Sequence, residues 1–127
     1  MPKPFAVTET SPSPGCAAFA VVGELDLATC GELASAVDDA LRRTPAPTIL
    51  VDLRELEFCD SSGLTVLLRV VRQAEMRRIE LALTRPPDPA WRTFELTALD
   101  QVLPFVDDAA AVAEPAPAAA SAASATG

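Results

Sequence analysis

The sequence predicts a single α/β domain: a mostly parallel mixed sheet of about five strands with about four helices, in the order β-β-α-β-α-β-α-β-α. Three observations carry this prediction. Apolar-rich stretches of strand length recur at residues 16–22, 48–53 and 79–83, and the first, unbroken and without alternation, reads as a strand buried on both faces. Segments with apolar residues at the helical period lie between them. Strands that alternate with helices imply parallel pairing through right-handed crossovers.

Proline recurs through the first 15 residues, where 5–8 reads as a short edge strand, antiparallel to the next, and 11–15 as a loop. The run 16–22 is the second strand, closing at Gly23 before Glu24, Leu25 and Asp26. Leu33, Ala36, Val37, Ala40 and Leu41 form one stripe of a helix over 28–43. Asp26 or Thr29 suits its start, and Arg42 and Arg43 suit its dipole end before Pro45. Residues 48–53 form the third strand, and Leu56 and Phe58 continue its apolar contacts. Leu64, Leu67, Leu68 and Val71 then mark a helix over 61–76, with Arg69, Arg72, Arg77 and Arg78 on its outer face or near its end. Residues 79–83 form the fourth strand. Pro86, Pro87, Asp88 and Pro89 break the chain. Trp91, Phe94, Leu96 and Leu99 supply a short helix, residues 102–106 the last strand and 107–113 a final short helix. Residues 114–127 carry no large apolar side chain, so they are expected to form a disordered tail beyond a domain spanning 1–113.

Composition narrows the chemistry. The net charge of −8 disfavours nucleic acid and anionic membrane as partners. No apolar stretch approaches the roughly 20 residues of a membrane span, and the first residues lack the apolar core of a signal peptide; a cytoplasmic location is the expectation. The three cysteines, Cys16, Cys30 and Cys59, show no CxxC spacing, so neither a disulfide framework nor a metal site is expected. The chain has no histidine, and its lysine is Lys3 near the terminus. Neither a Ser-His-Asp triad nor a buried Ser-Lys pair is available. An enzyme using a serine nucleophile is therefore disfavoured, and no cofactor is expected.

The polar elbow between the third strand and its following helix is Asp60, Ser61, Ser62 and Gly63. Short side-chain oxygens there can accept hydrogen bonds from the free N–H groups of a first turn. The positive end of a helix dipole also accommodates an added anion. A serine so placed reads as a cap, a nucleophile or a phosphorylation site. Ser62 reads as the cap of the first turn, Gly63 as a point of close backbone passage, and Cys59 as a small core residue.

Three stretches together resemble the STAS domain, in its anti-sigma factor antagonist branch: Gly23-Glu24-Leu25-Asp26; Val51-Asp52-Leu53 running to Phe58-Cys59-Asp60-Ser61-Ser62-Gly63-Leu64; and Phe94-Glu95-Leu96-Thr97-Ala98-Leu99. The resemblance covers residues 5–113. It implies a STAS-like fold and a partner-switching role. The unphosphorylated protein would bind an anti-sigma factor of the GHKL ATPase-like serine kinase type and so release a sigma factor. Phosphorylation of the serine directly after the aspartate, Ser61 here, would end binding, and a PP2C-type phosphatase would reverse it. By the same resemblance, Asp26, Asp60, Ser61, Ser62, Gly63 and Leu64 belong to the partner-binding surface. The alternative within the fold is a STAS scaffold or lipid-transport accessory module that is not phosphorylated. The chain departs from the family pattern at two turns: Arg77-Arg78-Ile79 where many relatives have a glycine pair, and Thr97-Ala98-Leu99 where Thr-Gly-Leu is usual.

Overall fold

The computed structural model describes residues 3–107. They form one five-stranded sheet in the order β1-β2-β3-β4-β5. The strands are β1 (Ala6–Thr10), β2 (Cys16–Leu25), β3 (Thr48–Cys59), β4 (Leu81–Thr84) and β5 (Phe105–Val106). The helices are α1 (Cys30–Leu41), α2 (Ser61–Met76) and α3 (Ala90–Leu96), with a 3-10 turn at Leu99–Gln101. β1 pairs antiparallel with β2, and the remaining neighbours are parallel. The mixed α/β class, the alternation of strands and helices along the chain and the antiparallel first strand are those the sequence predicts. The expected final helix over 107–113 and the expected tail over 114–127 fall outside the described residues, except for Asp107, which lies in a bend.

The absence of alternation in the strands has a structural cause. Ala17, Phe19 and Val21 of β2, Ile49, Val51 and Leu53 of β3, and Leu81 and Leu83 of β4 join the main core, where Leu33, Val37, Leu67 and Val70 of α1 and α2 meet them. Ala18, Leu50 and Ala82 turn the other way and form a smaller buried cluster with Val106 against it. Both sets of side chains are removed from water, so both must be apolar. Thr84 is the one buried polar side chain among the described residues. Its hydroxyl donates to Asp52 Oδ1 at 2.9 Å and accepts from the Leu53 N–H at 2.8 Å, which satisfies it and ties β4 to β3.

β2 and β3 run further than the apolar runs suggest, to Leu25 and Cys59. Gly23 does not close β2. It sits at φ 93°, inside an irregular stretch of the β2–β3 ladder, and a Cβ there would lie 2.9 Å from the Lys3 carbonyl oxygen. This is a bulge that lets the N-terminal segment pass close by. Beyond it the pairing continues through Glu24 with Phe58 and Leu25 with Cys59; Leu25 and Cys59 are buried, but Phe58 is 46% exposed rather than part of the core. At the other end β5 is only two residues long. Pro104 has no N–H to give a ladder, and the preceding 3-10 turn takes up Leu99–Gln101. Trp91, Phe94 and Phe105 close this end as an aromatic cluster with centroids 5.0–5.9 Å apart, and the Arg85 guanidinium lies 4.3 Å from the Trp91 ring centre. Leu96, expected to help this helix pack, is exposed.

The two turns where the family pattern has glycine keep the backbone that glycine favours. Arg78 adopts φ 57° and Ala98 φ 61°, both left-handed. Left-handed backbone is unfavourable for a residue with a Cβ by roughly 1–2 kcal/mol, partly offset on mutation to glycine by the greater freedom glycine has when unfolded. Ala98→Gly is therefore expected to stabilise the fold by about 0.5–1 kcal/mol and to raise Tm by a few degrees in a thermal melt. Ala98→Val should do the opposite, and a lower Tm for the glycine variant would contradict the strain.

Candidate functional site

The site forms where β2 and β3 end side by side. The last cross-strand link is the Asp60 N–H donating to the Leu25 carbonyl at 3.2 Å. It places the β2–α1 loop, which begins at Asp26, beside the β3–α2 elbow. Residues 34 positions apart in sequence thus share one edge of the sheet.

In the elbow, Asp60 is the N-cap of α2. It is extended, with φ −95° and ψ −172°, and its Oδ1 accepts from the Gly63 N–H at 3.0 Å. The expectation that Ser62 caps the first turn is corrected. A capping side chain must start outside the helix and reach back to a free N–H, whereas Ser62 already lies inside the first turn. Ser61 is the first helical residue and is exposed. Its carbonyl accepts from Thr65 Oγ1 at 2.9 Å, and its own hydroxyl has no hydrogen-bond partner among the described residues. Asp60→Ala should lower stability by about 1 kcal/mol, while Asp60→Asn, an equally good cap, should lower it far less. Urea denaturation of the two variants checks this, and equal loss in both would assign the effect to charge instead of capping.

Two of the expected surface residues lie beneath the surface. Leu64 is 7% exposed and belongs to the main core. Gly63 is buried, and a Cβ built on it would sit 2.6 Å from the Leu25 carbonyl oxygen and 2.7 Å from Cys59 Sγ. The first turn of α2 therefore rests directly on the end of β2. Cys59 fills the space under the elbow as expected. Burial, and then the Asp60 carboxylate, push its thiol up to about 12, so it stays protonated and unreactive.

Asp26 is half-buried. Its Oδ1 accepts from the Ala28 N–H at 3.0 Å, the Thr29 N–H at 3.2 Å and Thr29 Oγ1 at 3.1 Å. The single Thr29 hydroxyl proton is shared between Asp26 Oδ1 and the nearer Glu24 carbonyl at 2.9 Å, while the same oxygen accepts from the Asp26 N–H at 2.9 Å. Thr29 occupies the N-cap position of α1 without a side-chain cap bond, and Asp26 holds the loop ahead of it. The neighbouring Leu27 is 78% exposed.

The structure adds a feature with no local signal in the sequence. A groove of about 290 Å³ runs between α1 and α2 from the elbow. Cys30, Gly31 and Ala34 line its α1 side; Ser61, Ser62, Thr65 and Arg69 lie along α2. Small residues on α1 leave the space open, and an added Cβ on Gly31 would meet nothing within 4 Å. Among the described residues no cluster of histidine, cysteine or carboxylate side chains could hold a metal ion, and no helix is long and apolar enough to cross a membrane.

Comparison with known proteins fits this architecture. The family model described as "Mlab, STAS domain" matches residues 9–106. The anti-sigma F factor antagonist of Paenibacillus polymyxa is 30% identical over 86 residues, covering 68% of this chain and 74% of its own. The anti-sigma-B factor antagonist of Listeria monocytogenes is 29% identical over 83 residues, covering 65% and 72%. An anti-sigma factor antagonist from Mycobacterium paratuberculosis superposes with a TM-score of 0.72 at 23% identity, over 87% of this chain and 96% of that one.

Proposed function

Because the chain belongs to the STAS domain family, we propose that it is an anti-sigma factor antagonist regulated by phosphorylation of Ser61. The observation that carries this reading is the placement of Ser61: first residue of α2, directly after the capping Asp60, exposed, and with its hydroxyl unpartnered among the described residues. The names of the curated relatives, antagonists of anti-sigma F and anti-sigma-B factors, support the same role.

In this reading residues 1–113 form the functional unit. Unphosphorylated, it binds an anti-sigma factor that is also a GHKL ATPase-like serine kinase, through the edge formed by Asp26, Asp60, Ser61 and Ser62. Gly63 and Leu64 serve that surface from beneath. The kinase transfers the γ-phosphoryl group of ATP to Ser61 Oγ; the hydroxyl loses its proton and ADP leaves. The new group brings about −1.5 to −2 charges at neutral pH, next to Asp60 on a chain of net charge −8. The partner surface is then repelled and obstructed, while the helix start tolerates the anion without unfolding. A PP2C-type phosphatase restores the hydroxyl.

Incubation with the cognate kinase and ATP, followed by fragment mass spectrometry, tests the reading. One phosphoryl group on Ser61 and none on Ser62 is the expected result. Phosphate on Ser62 alone would move the switch by one residue. No phosphate from a kinase that is bound and active would favour the unphosphorylated scaffold or lipid-transport accessory role.

A further inference from the structure

Arg69 stands apart in its setting. Of the residues lining the groove between α1 and α2, it is the only charged one, and no carboxylate lines that groove on a chain whose net charge is −8. The Arg69 guanidinium makes no ion pair or hydrogen bond among the described residues, as is also true of Arg72, Arg78 and Arg92, whereas Arg42, Arg43 and Arg54 are each paired with an acid; of these four without an acid, Arg69 alone lines the groove. Ser61, Thr65 and Arg69 follow one another at i, i+4 and i+8, all along one row of α2. The row spans about 12 Å of helix axis. Long side chains on a helix lean back over the turn N-terminal to their own Cα, and Ser61 lies on that side of Arg69 along the helix axis. Thr65, between them, has its hydroxyl turned to the Ser61 carbonyl at 2.9 Å and competes for neither end.

We propose that Arg69 is the counter-ion of phosphorylated Ser61, drawing the phosphate down into the α1–α2 groove and closing that groove to the partner. The inference rests on Ser61 carrying the phosphate. It adds that the phosphate is held by the protein's own α2 as well as repelling what binds there. A guanidinium suits this role, since its planar fork can give two parallel N–H donors to a phosphate. The small α1 residues Gly31 and Ala34 leave the room such a contact needs.

The test installs phosphoserine at position 61 during translation, so that it does not depend on any kinase. The pH dependence of the phosphorus NMR shift then reports the second ionisation of the phosphate, which is near 6 when unperturbed. A nearby cation favours the dianion and lowers that midpoint. In the otherwise native chain the midpoint is expected below that of a phosphoserine peptide. Arg69→Gln should raise it by about half a unit or more, and Arg69→Lys should raise it less. Arg72→Gln removes the same charge from the same helix outside the groove, and should leave the midpoint within error. Equal shifts from Arg69→Gln and Arg72→Gln would reduce the effect to general charge, and no shift from Arg69→Gln would remove the contact; either result overturns the proposal. A phosphoserine chain that passes this test while the native chain resists every active kinase would sink the proposed function and leave the Arg69 contact standing.

Discussion

Gly63→Ala is expected to lower stability by about 2–3 kcal/mol and to drop Tm by about 10 °C or more. The added methyl group would sit 2.6 Å from the Leu25 carbonyl oxygen and 2.7 Å from Cys59 Sγ. The Leu25 carbonyl cannot yield easily, because it already accepts the Asp60 N–H at the end of the β2–β3 ladder. Relief therefore requires the first turn of α2 to lift off the sheet. That movement breaks the cap between Asp60 and Gly63 and displaces Ser61, so phosphorylation by the cognate kinase should also slow. Gly31→Ala is the contrast. Its Cβ meets nothing within 4 Å, and alanine is the better helix former, so its melting temperature should stay level or rise. If Gly63→Ala melts like the native protein, the contact between α2 and the end of β2 is softer than its geometry implies.

Phosphorylation of Ser61 should weaken binding to the anti-sigma factor by about a hundredfold or more, which needs about 2.8 kcal/mol. Ser61→Asp should weaken it less, since it adds one charge and less bulk. Ser61→Ala should abolish phosphorylation and retain most of the affinity. It should also leave stability within about 0.5 kcal/mol, because the cap belongs to Asp60 and the Ser61 side chain is exposed. Isothermal titration with the cognate partner, on native, phosphorylated and variant chains, measures all of these. Full affinity in the phosphorylated chain would end the switching model, whatever the kinase does.

Much of the fold and of the site is legible in the residues themselves. The stripe Leu33, Val37, Ala40, Leu41 is the buried face of α1, and the elbow falls between β3 and α2 with Ser61 as the first helical residue. The points where local reading misleads share a pattern. A glycine after an apolar run reads as a terminator, yet Gly23 continues β2 and admits the Lys3–Phe5 backbone. Serine is a good cap by type, but the choice between Asp60 and Ser62 depends on which residue lies just outside the first turn. Hydrophobicity alone puts Phe58 in the core, whereas the register shifts of the β2–β3 ladder come before it and it faces solvent.

What the sequence determined by itself is whatever depends on residues a few positions apart: helical stripes, strand-length apolar runs, and the elbow with its serine. Those signals are local because a helical turn closes within four residues and a helix start is capped within three. The tertiary structure alone decided what depends on segments far apart in the chain. It set Asp26 beside Asp60 and opened a groove between the small residues of α1 and the Ser61–Arg69 row of α2. It made Gly63 necessary through a carbonyl 38 residues earlier, and it held Arg78 and Ala98 in left-handed backbone that their residue types disfavour. Packing fixes these features, since a close-packed interior dictates which atoms meet and local preference yields where the two conflict.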